Sequence, residues 1–260
     1  MHPYPLTPGN RIRLAQAFRT QRHVDVAITC VVEGQMGQAF ADDPAQPAAF
    51  LLDVTGFWYL AGDAGAAGAA ALVAGIRPYS LIMNPPPAWH DLLRRRMGAC
   101  LKAMPRYSFS SVGLDEAALR ATWQGSPHAP AIRRIDGPLA EALWADKDSL
   151  VDMRAYASAA DFVDRGLGYC LMDGTAVVGT AYASLVCSRA IEVSVVVLPP
   201  YRRQGAATAL CAALLSDCLA RHMDANWDAA NPESCALARK LGYVDAGSYH
   251  AYYLTEAAAK

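Results

Sequence analysis

A basic turn that contains glycine is the part of this sequence best suited to chemistry. The turn and helix start Arg202–Thr208 read RRQGAAT and follow directly on the β-branched run Ile191–Val197 and a double proline. A strand, a turn and a helix start in that order bring free backbone N–H groups and the positive end of a helix dipole to one point. Gly205 would let a ligand approach the backbone closely, and the two arginines add positive charge. The stretch therefore predicts a phosphate-binding turn.

The spacing of residues in this turn indicates which type of phosphate-binding motif it is. It lacks the Lys-Ser/Thr pair of a P-loop and the second early glycine of a dinucleotide fingerprint, so neither motif fits. The pattern Arg202-x-x-Gly205-x-Ala207 resembles the pyrophosphate turn of the GNAT acetyltransferases, which implies acetyl-coenzyme A as cosubstrate. The resemblance implies these coenzyme-binding residues: Val195, Val197, Arg202, Arg203, Gln204, Gly205, Ala206, Ala207, Thr208, Asn231 and Ser234. A plain surface turn with two arginines is the alternative reading.

The strand before the turn has a role in that resemblance. In the superfamily this strand parts from the next one, and the pantetheine arm of the coenzyme enters the gap and bonds to backbone groups. Val195 and Val197 could serve there without polar side chains, because β-branched residues keep a strand extended. An ordinary buried strand is the alternative that the sequence leaves open.

Acetyl transfer to an amine needs a neutral nucleophile, a donor for the thioester oxygen, and a proton for the departing thiolate. Glu192 lies at the start of the strand, on the same side as Ser194, and these are the polar positions in an otherwise apolar run. We predict that Glu192 is the general base, with a solvated glutamate at a strand end as the alternative.

The general acid is less well defined by the sequence. Many superfamily members use a tyrosine seven positions after the asparagine of the last helix, and this chain has Ala238 there. Ser234, Tyr252, Tyr253 or solvent could replace it. Asn231 has two readings, a helix N-cap and a donor to the pantetheine amides, which are compatible with each other.

The C-terminal part of the chain resembles a narrower branch of the superfamily, the one that includes the zwittermicin A resistance acetyltransferase. In that branch a WD-x-x-N-x-x-S element precedes a helix that ends in Lys-Leu-Gly-aromatic. The matching positions here are Trp227, Asp228, Asn231, Ser234, Lys240, Leu241, Gly242 and Tyr243. The string DDPAQPAAFLLDVTGFWYLAGD also looks like the amino-terminal domain of that branch. This resemblance implies an amino-bearing antibiotic or metabolite as acceptor.

Composition excludes several other classes. The formal net charge of −1 gives no electrostatic case for a nucleic acid or an anionic membrane as partner. The odd number of seven cysteines, with no C-x-x-C pair and no signal-peptide pattern, favours a reducing cytoplasm. No stretch approaches the roughly 20 apolar residues of a membrane span. The histidines show no metal-ligand spacing, so no metal is expected.

Hydrophobic patterns predict two α/β halves, residues 1–128 and 129–260, joined near QGSPHAP. The first half is predicted to hold helices at 11–22, 64–74 and 89–97 and strands at 37–41, 49–54, 57–61 and 79–83. The second half is predicted to hold helices at 138–145, 150–165, after the basic turn and at 232–241, with strands at 132–135, 169–172, 177–186, 191–197, 226–229, 243–246 and 249–254.

Together these patterns predict a GNAT fold, with a mixed, mostly antiparallel sheet flanked by helices, preceded by a degenerate GNAT-like half. The predicted function is acetyl-coenzyme A-dependent N-acetylation of a small-molecule primary amine by a monomer or homodimer. Two other functions remain open: a coenzyme-sensing module without catalysis, and acetylation of a protein amino group.

Overall fold

The computed structural model describes residues 1–255, and the contacts between residues divide the chain into two compact units. The first unit consists of Met1–Arg106 and the segment from Ser248 onward, and the second consists of Tyr107–Gly247. This division differs from the predicted boundary after residue 128. It falls earlier because the helix Glu116–Gln124 packs against the helix Ala206–Ala220 of the second unit.

The helices and strands are numbered here in chain order. They are β1 (His2–Pro3), α1 (Pro8–Phe18), α2 (Asp25–Val32), β2 (Gln38–Ala41), β3 (Ala49–Val54), β4 (Phe57–Gly62), α3 (Ala69–Ala74), β5 (Ser80–Ile82), α4 (Pro87–Met97), β6 (Leu101–Ser110), α5 (Glu116–Gln124), β7 (Ile132–Arg134), α6 (Gly137–Ala145), α7 (Ala159–Arg165), β8 (Gly168–Asp173), β9 (Ala176–Val186), β10 (Ala190–Val197), α8 (Ala206–Ala220), β11 (Asp224–Ala229), α9 (Pro232–Leu241) and β12 (Val244–Leu254).

The first unit is built on a sheet in which β1, β2, β3, β4, β5 and the end of β12 follow one another. Only the β4–β5 pair is parallel; the other pairs are antiparallel. Helices α3 and α4 contribute Leu72, Trp89 and Leu93 to a core that also contains Leu51 and Leu60 of the sheet, all essentially inaccessible to solvent. Burial of these apolar side chains is the main stabilising contribution in this unit.

The second unit has the sheet order β6, β11, β10, β9, β8, β7, in which only β10 and β11 are parallel. Helix α8 packs on β8, β9, β10 and β11. Gly179 allows a close approach, since a Cβ there would lie 3.1 Å from Leu210 Cδ1 and 3.3 Å from Val197 Cγ2. The predicted α/β fold, with a mixed and mostly antiparallel sheet flanked by helices, is confirmed.

Several predicted elements were wrong in extent. The helix predicted at 150–165 begins only at Ala159, because the Ser158 side chain caps it by accepting a hydrogen bond from the Asp161 N–H. The residues before it bond to β9 instead: Leu150 accepts from the Thr180 hydroxyl, and the Asp152 N–H donates to the Tyr182 hydroxyl. Tertiary contacts thus override a helical pattern.

Other differences concern elements that the sequence patterns did not reveal. Helices α2 and α5 and strand β6 were not predicted, and the two strands predicted at 243–246 and 249–254 are one strand, β12. The helix predicted at 11–22 begins earlier, at Pro8, because the Thr7 hydroxyl accepts a hydrogen bond from the Asn10 N–H and proline suits the first helical position. No helix in residues 1–255 has the length and apolar character needed to cross a membrane.

Candidate active site

Strands β10 and β11 part from each other in the middle of the second unit. Their parallel register has three pairs, Ala190 with Asp224, Ile191 with Ala225, and Glu192 with Asn226, and then ends. Within residues 1–255, the rest of β10 is paired only with β9 on its other side. The structure therefore contains the parted strands that the resemblance implied.

The direction of the backbone groups along the unpaired part of β10 follows from its bonds to β9. The Leu198 N–H donates to the Val178 carbonyl oxygen at 3.0 Å, so Leu198 faces β9. Because residues that bond a neighbour alternate along an antiparallel strand, Val196 and Ser194 also bond β9. The N–H and C=O groups of Val195 and the N–H of Val197 consequently face the side on which β11 has separated.

The turn after β10 leads directly into helix α8. Gly205 is the residue before the helix and has a left-handed backbone with φ of 86°, and Arg203 has φ of 63°. No side chain caps the helix, and its first turn contains no acidic residue. The N–H groups of Ala206, Ala207 and Thr208 therefore lack the intrahelical partners that later residues have, and they carry the positive end of the helix dipole.

The side chains of Arg202 and Gln204 stabilise the local backbone around the turn. The Arg202 Nε donates to the Val197 carbonyl oxygen at 2.7 Å, and the Gln204 Nε2 donates to the Pro200 carbonyl oxygen at 2.8 Å. His128 contributes from 76 residues away, since its Nε2 hydrogen-bonds to the Gln204 carbonyl oxygen at 2.8 Å. Sequence reasoning missed this contact, because no spacing pattern linked a histidine in the QGSPHAP segment to this turn.

A pyrophosphate and a pantetheine arm fit these features. A Cβ built on Gly205 would meet no atom within 4 Å, so the backbone there borders open space. Uncapped N–H groups next to an exposed arginine are the donors that a phosphate requires. Backbone groups of Val195 and Val197 are the donors and acceptors that the amides of pantetheine require.

Glu192 lies at the point where the two strands separate. Its side chain is partly buried, and its Oε2 accepts a hydrogen bond from the Asn226 Nδ2 at 2.6 Å. The register between β10 and β9 shifts immediately after Glu192, and the Ser184 hydroxyl donates to the Glu192 carbonyl oxygen at 3.2 Å. Glu192 is thus a positioned carboxylate and differs from a freely solvated strand end.

The polar face of β10 carries further groups. By strand alternation Ser194 lies on the same face as Glu192, and it pairs across the ladder with Tyr182. Burial raises the pKa of the Tyr182 hydroxyl, which accepts a hydrogen bond from the Asp152 N–H at 3.0 Å. The segment after helix α6 is therefore anchored over the face that carries the predicted base.

Asn231 and Ser234 have structural partners in helix α9. The Asn231 Oδ1 accepts a hydrogen bond from the Ser234 N–H at 2.8 Å, which confirms the N-cap, and the Ser234 hydroxyl accepts one from the Trp227 Nε1 at 3.1 Å. Gly242 ends the helix with φ of 106°, and the buried Tyr243 hydroxyl donates to the Ala225 carbonyl oxygen. The WD-x-x-N-x-x-S and Leu-Gly-aromatic elements therefore fasten α9 to β11.

The residues considered for the general acid lie in both units of the chain. Ala238 is fully buried in α9. Tyr252 and Tyr253 lie on the part of β12 that pairs with β5 in the first unit, whereas Ser234 lies in the second unit. Of Ser234, Tyr252 and Tyr253, only Ser234 therefore belongs to the unit that contains the parted strands β10 and β11.

No group of three or more His, Cys, Asp or Glu side chains suited to a metal ion occurs in the described part of the chain. The cysteines bear on an alternative to direct transfer, a covalent acetyl-cysteine intermediate. Cys211 and Cys187 are buried, and burial strongly raises the pKa of the Cys211 thiol. A thiol that stays protonated is a poor nucleophile, so a covalent acetyl-cysteine intermediate on Cys211 is disfavoured.

The comparison with known families decides the class. The sequence pattern of the GNAT acetyltransferase family matches residues 16–252. The chain belongs to this family. The match extends over parts of both units, so the resemblance is not confined to the basic turn.

Individual relatives agree. The chain is 24% identical over 227 residues to the uncharacterized N-acetyltransferase YdfB of Bacillus subtilis, covering 84% of this chain and 85% of that protein. A crystal structure of a GCN5-related N-acetyltransferase-like protein from Streptococcus suis is 27% identical, with a TM-score of 0.77 over 92% of this chain and 99% of the other. A tandem GNAT protein from the clavulanic acid biosynthesis pathway shares the fold, at 13% identity and a TM-score of 0.52 over 96% of both chains.

Membership in this family establishes the enzyme class and implies the acetyl donor. The protein is an N-acetyltransferase, and the family uses acetyl-coenzyme A. The comparisons therefore favour an enzyme over the coenzyme-sensing module, which rested on Ala238 in place of the usual tyrosine and on the undetermined identity of the base.

Proposed function

We propose that the protein transfers the acetyl group of acetyl-coenzyme A to a primary amine of a small molecule, by direct attack of the amine on the thioester. The observation that carries this proposal is the juxtaposition at β10: parted strands, a positioned carboxylate at their point of separation, and an uncapped helix start beyond the turn. The coenzyme supplies an acyl carbon that is activated by a thiolate leaving group.

The proposed coenzyme site follows from these elements. The pyrophosphate would bind the N–H groups of Gln204, Gly205 and the first turn of α8, with the exposed Arg203 adding charge. Pantetheine would bond to the backbone of Val195 and Val197, and the amide nitrogen of Asn231 would donate to it while Oδ1 keeps the cap.

Glu192 is the proposed base. Its carboxylate would take a proton from the acceptor ammonium, directly or through water, so that the neutral nitrogen can form the new C–N bond as the C–S bond breaks. The backbone N–H groups of the unpaired strand are the available donors to the carbonyl oxygen as it gains charge. The second proton lost by nitrogen balances the one that the departing thiolate takes up, through solvent or the Ser234 hydroxyl.

The acceptor is proposed from the branch resemblance and is an amino-bearing antibiotic or metabolite. The elements that resemble the zwittermicin A resistance branch, around Trp227 and Tyr243, hold α9 on β11 in this structure. Their presence supports a common architecture, and the acceptor class is an analogy built on it. Acetylation of a protein amino group is the competing acceptor class.

An amine panel tests the proposal. Purified protein with acetyl-coenzyme A is assayed for coenzyme release with zwittermicin A, 2-amino-1,3-propanediol, kanamycin and a lysine-containing basic peptide. We expect release above background with at least one small amine and not with the peptide. Release with the peptide alone would overturn the acceptor class, and release with none of them would overturn the proposed function.

A variant tests the base. Glu192→Gln keeps the size of the side chain and removes its proton-accepting charge, so kcat is expected to fall by about 100-fold or more. Binding of acetyl-coenzyme A, measured by calorimetry, should remain close to that of the wild type. Unchanged turnover across the pH range would end the assignment of Glu192.

A further inference from the structure

We infer that Asn226 is a positioning residue for the general base: its side-chain amide holds the Glu192 carboxylate in place at the point where β10 and β11 separate. This inference rests on the proposed function, in which Glu192 accepts the proton of the acceptor. It adds a residue of β11 that would act on the reaction through Glu192.

The position of Asn226 in the sheet supports this role. Glu192 and Asn226 form the last pair of the parallel register, so their side chains lie side by side on one face. On one side of Glu192 the ladder to β9 shifts by a residue, and beyond it the ladder to β11 ends. A flexible glutamate at such an irregular position gains a fixed orientation from a short bond to its Oε2, here 2.6 Å long.

The chemistry of an amide suits this task. The Asn226 Nδ2 is only a donor, so it bonds to the carboxylate form of Glu192 and fixes the orientation of that group. A lysine or arginine at the same position would pair with the carboxylate as a full charge and would weaken it as a base more than a neutral amide does. An aspartate would repel it. Asparagine orients the carboxylate and leaves its charge in place.

Neighbouring contacts provide a matched control. The Ser184 hydroxyl bonds to the backbone carbonyl oxygen of Glu192 at 3.2 Å, whereas the Asn226 amide bonds to its carboxylate. Ser184→Ala therefore removes a hydrogen bond from the same residue without touching its charged group. Asn226→Leu removes the carboxylate contact and preserves the approximate volume.

The first measurement needs no acceptor. The chain has six glutamates, so a protein with ¹³C-labelled glutamate carboxyls gives few signals, and the signal lost in Glu192→Gln identifies Glu192. We expect its titration midpoint to move to higher pH in Asn226→Leu, because a bond to the charged form is lost. In Ser184→Ala the midpoint should stay at the wild-type value. An unchanged midpoint in Asn226→Leu would overturn the inference.

The second measurement uses the amine of the panel that gives the highest rate of coenzyme release. Asn226→Leu should lower kcat at neutral pH and shift the acid limb of the profile upward, whereas the double variant with Glu192→Gln should be no slower than Glu192→Gln alone. A purely structural role would lower Tm and leave the pH profile in place, which would overturn the inference while the base assignment stands. If Glu192→Gln retained full activity, the base assignment would fail, and this inference with it.

Discussion

The two roles of Asn231 can be separated by substitution. Its Oδ1 accepts the hydrogen bond from the Ser234 N–H at 2.8 Å and caps α9, and the proposed coenzyme contact would use its Nδ2. Asn231→Ala removes both groups. Asn231→Ser keeps an oxygen suited to the cap and removes the amide donor. Both variants therefore lack the amide donor, and only Asn231→Ser keeps an oxygen that can cap the helix.

The expected size of each effect follows from the contacts. Loss of an N-cap costs about 1 kcal/mol, which in a protein of this size lowers Tm by about 2–4 °C. Loss of one neutral hydrogen bond to the coenzyme weakens binding by about 2- to 10-fold. Asn231→Ala should show both effects, and Asn231→Ser should show the weaker binding with near-wild-type Tm.

Scanning calorimetry and titration with acetyl-coenzyme A measure the two effects on the same samples. Wild-type affinity in Asn231→Ser would refute the coenzyme contact and leave Asn231 as a cap alone. Wild-type Tm in Asn231→Ala would refute the reasoning about the cap.

Three further predictions concern stability and reactivity. Gly242→Ala should lower the free energy of unfolding by about 1–2 kcal/mol, because φ there is 106° and the new Cβ would lie 3.2 Å from the Gly113 carbonyl oxygen; a wild-type urea midpoint would contradict this. The Arg165 guanidinium lowers the pKa of Asp161 below 3.8, so this pair stabilises the fold above that pH and the contribution is lost as the pH falls further. Asp161→Asn should flatten the acid limb of a stability profile, and an equally steep limb would contradict the assignment. Burial raises the pKa of the Cys170 thiol to about 12, so iodoacetamide at pH 8.5 should modify the partly exposed Cys100 first, as peptide mass spectrometry can show.

The elements with strong local signals could be predicted from the sequence. Asn231 followed by Pro232, with Gly242 after the last apolar position, defined helix α9 at both ends, and the structure gives Pro232–Leu241. The β-branched run before the basic turn likewise predicted β10. Local chemistry determined these elements: a side-chain cap, a proline and a left-handed glycine each act within a few residues.

Features that depend on distant residues could not be predicted in this way. Helix α5 packs against α8, and Leu150–Asp152 bonds to β9 in place of forming a helix. The contact between His128 and Gln204 spans 76 residues, and that between Asn226 and Glu192 spans 34. The pairing of strands in the sheet brings such residues together. The hydrophobic periodicity of a single sequence does not show which strands become neighbours.

The candidate site likewise combines features that local residues determine with features that depend on distant residues. Arg202–Ala207 could be identified as a phosphate turn because its residues are contiguous. The structure adds that the Arg202 Nε and the Gln204 Nε2 bond to the carbonyl oxygens of Val197 and Pro200, which precede the turn. The uncapped N–H groups of the helix start and the exposed Arg203 are donors suited to an anion. The role of Asn226 required the register between two strands.

The most direct test of the central claim is a calorimetric titration of the purified protein with acetyl-coenzyme A, beside Gly205→Glu and Gly174→Glu. Both glycines have positive φ and open space around an added Cβ, so the two variants share the backbone strain, and only the first places a carboxylate at the proposed pyrophosphate site. The account predicts micromolar binding in the wild type and in Gly174→Glu, and its loss in Gly205→Glu. Binding that is absent from the wild type, or retained in Gly205→Glu, would contradict the assignment of this turn to the coenzyme.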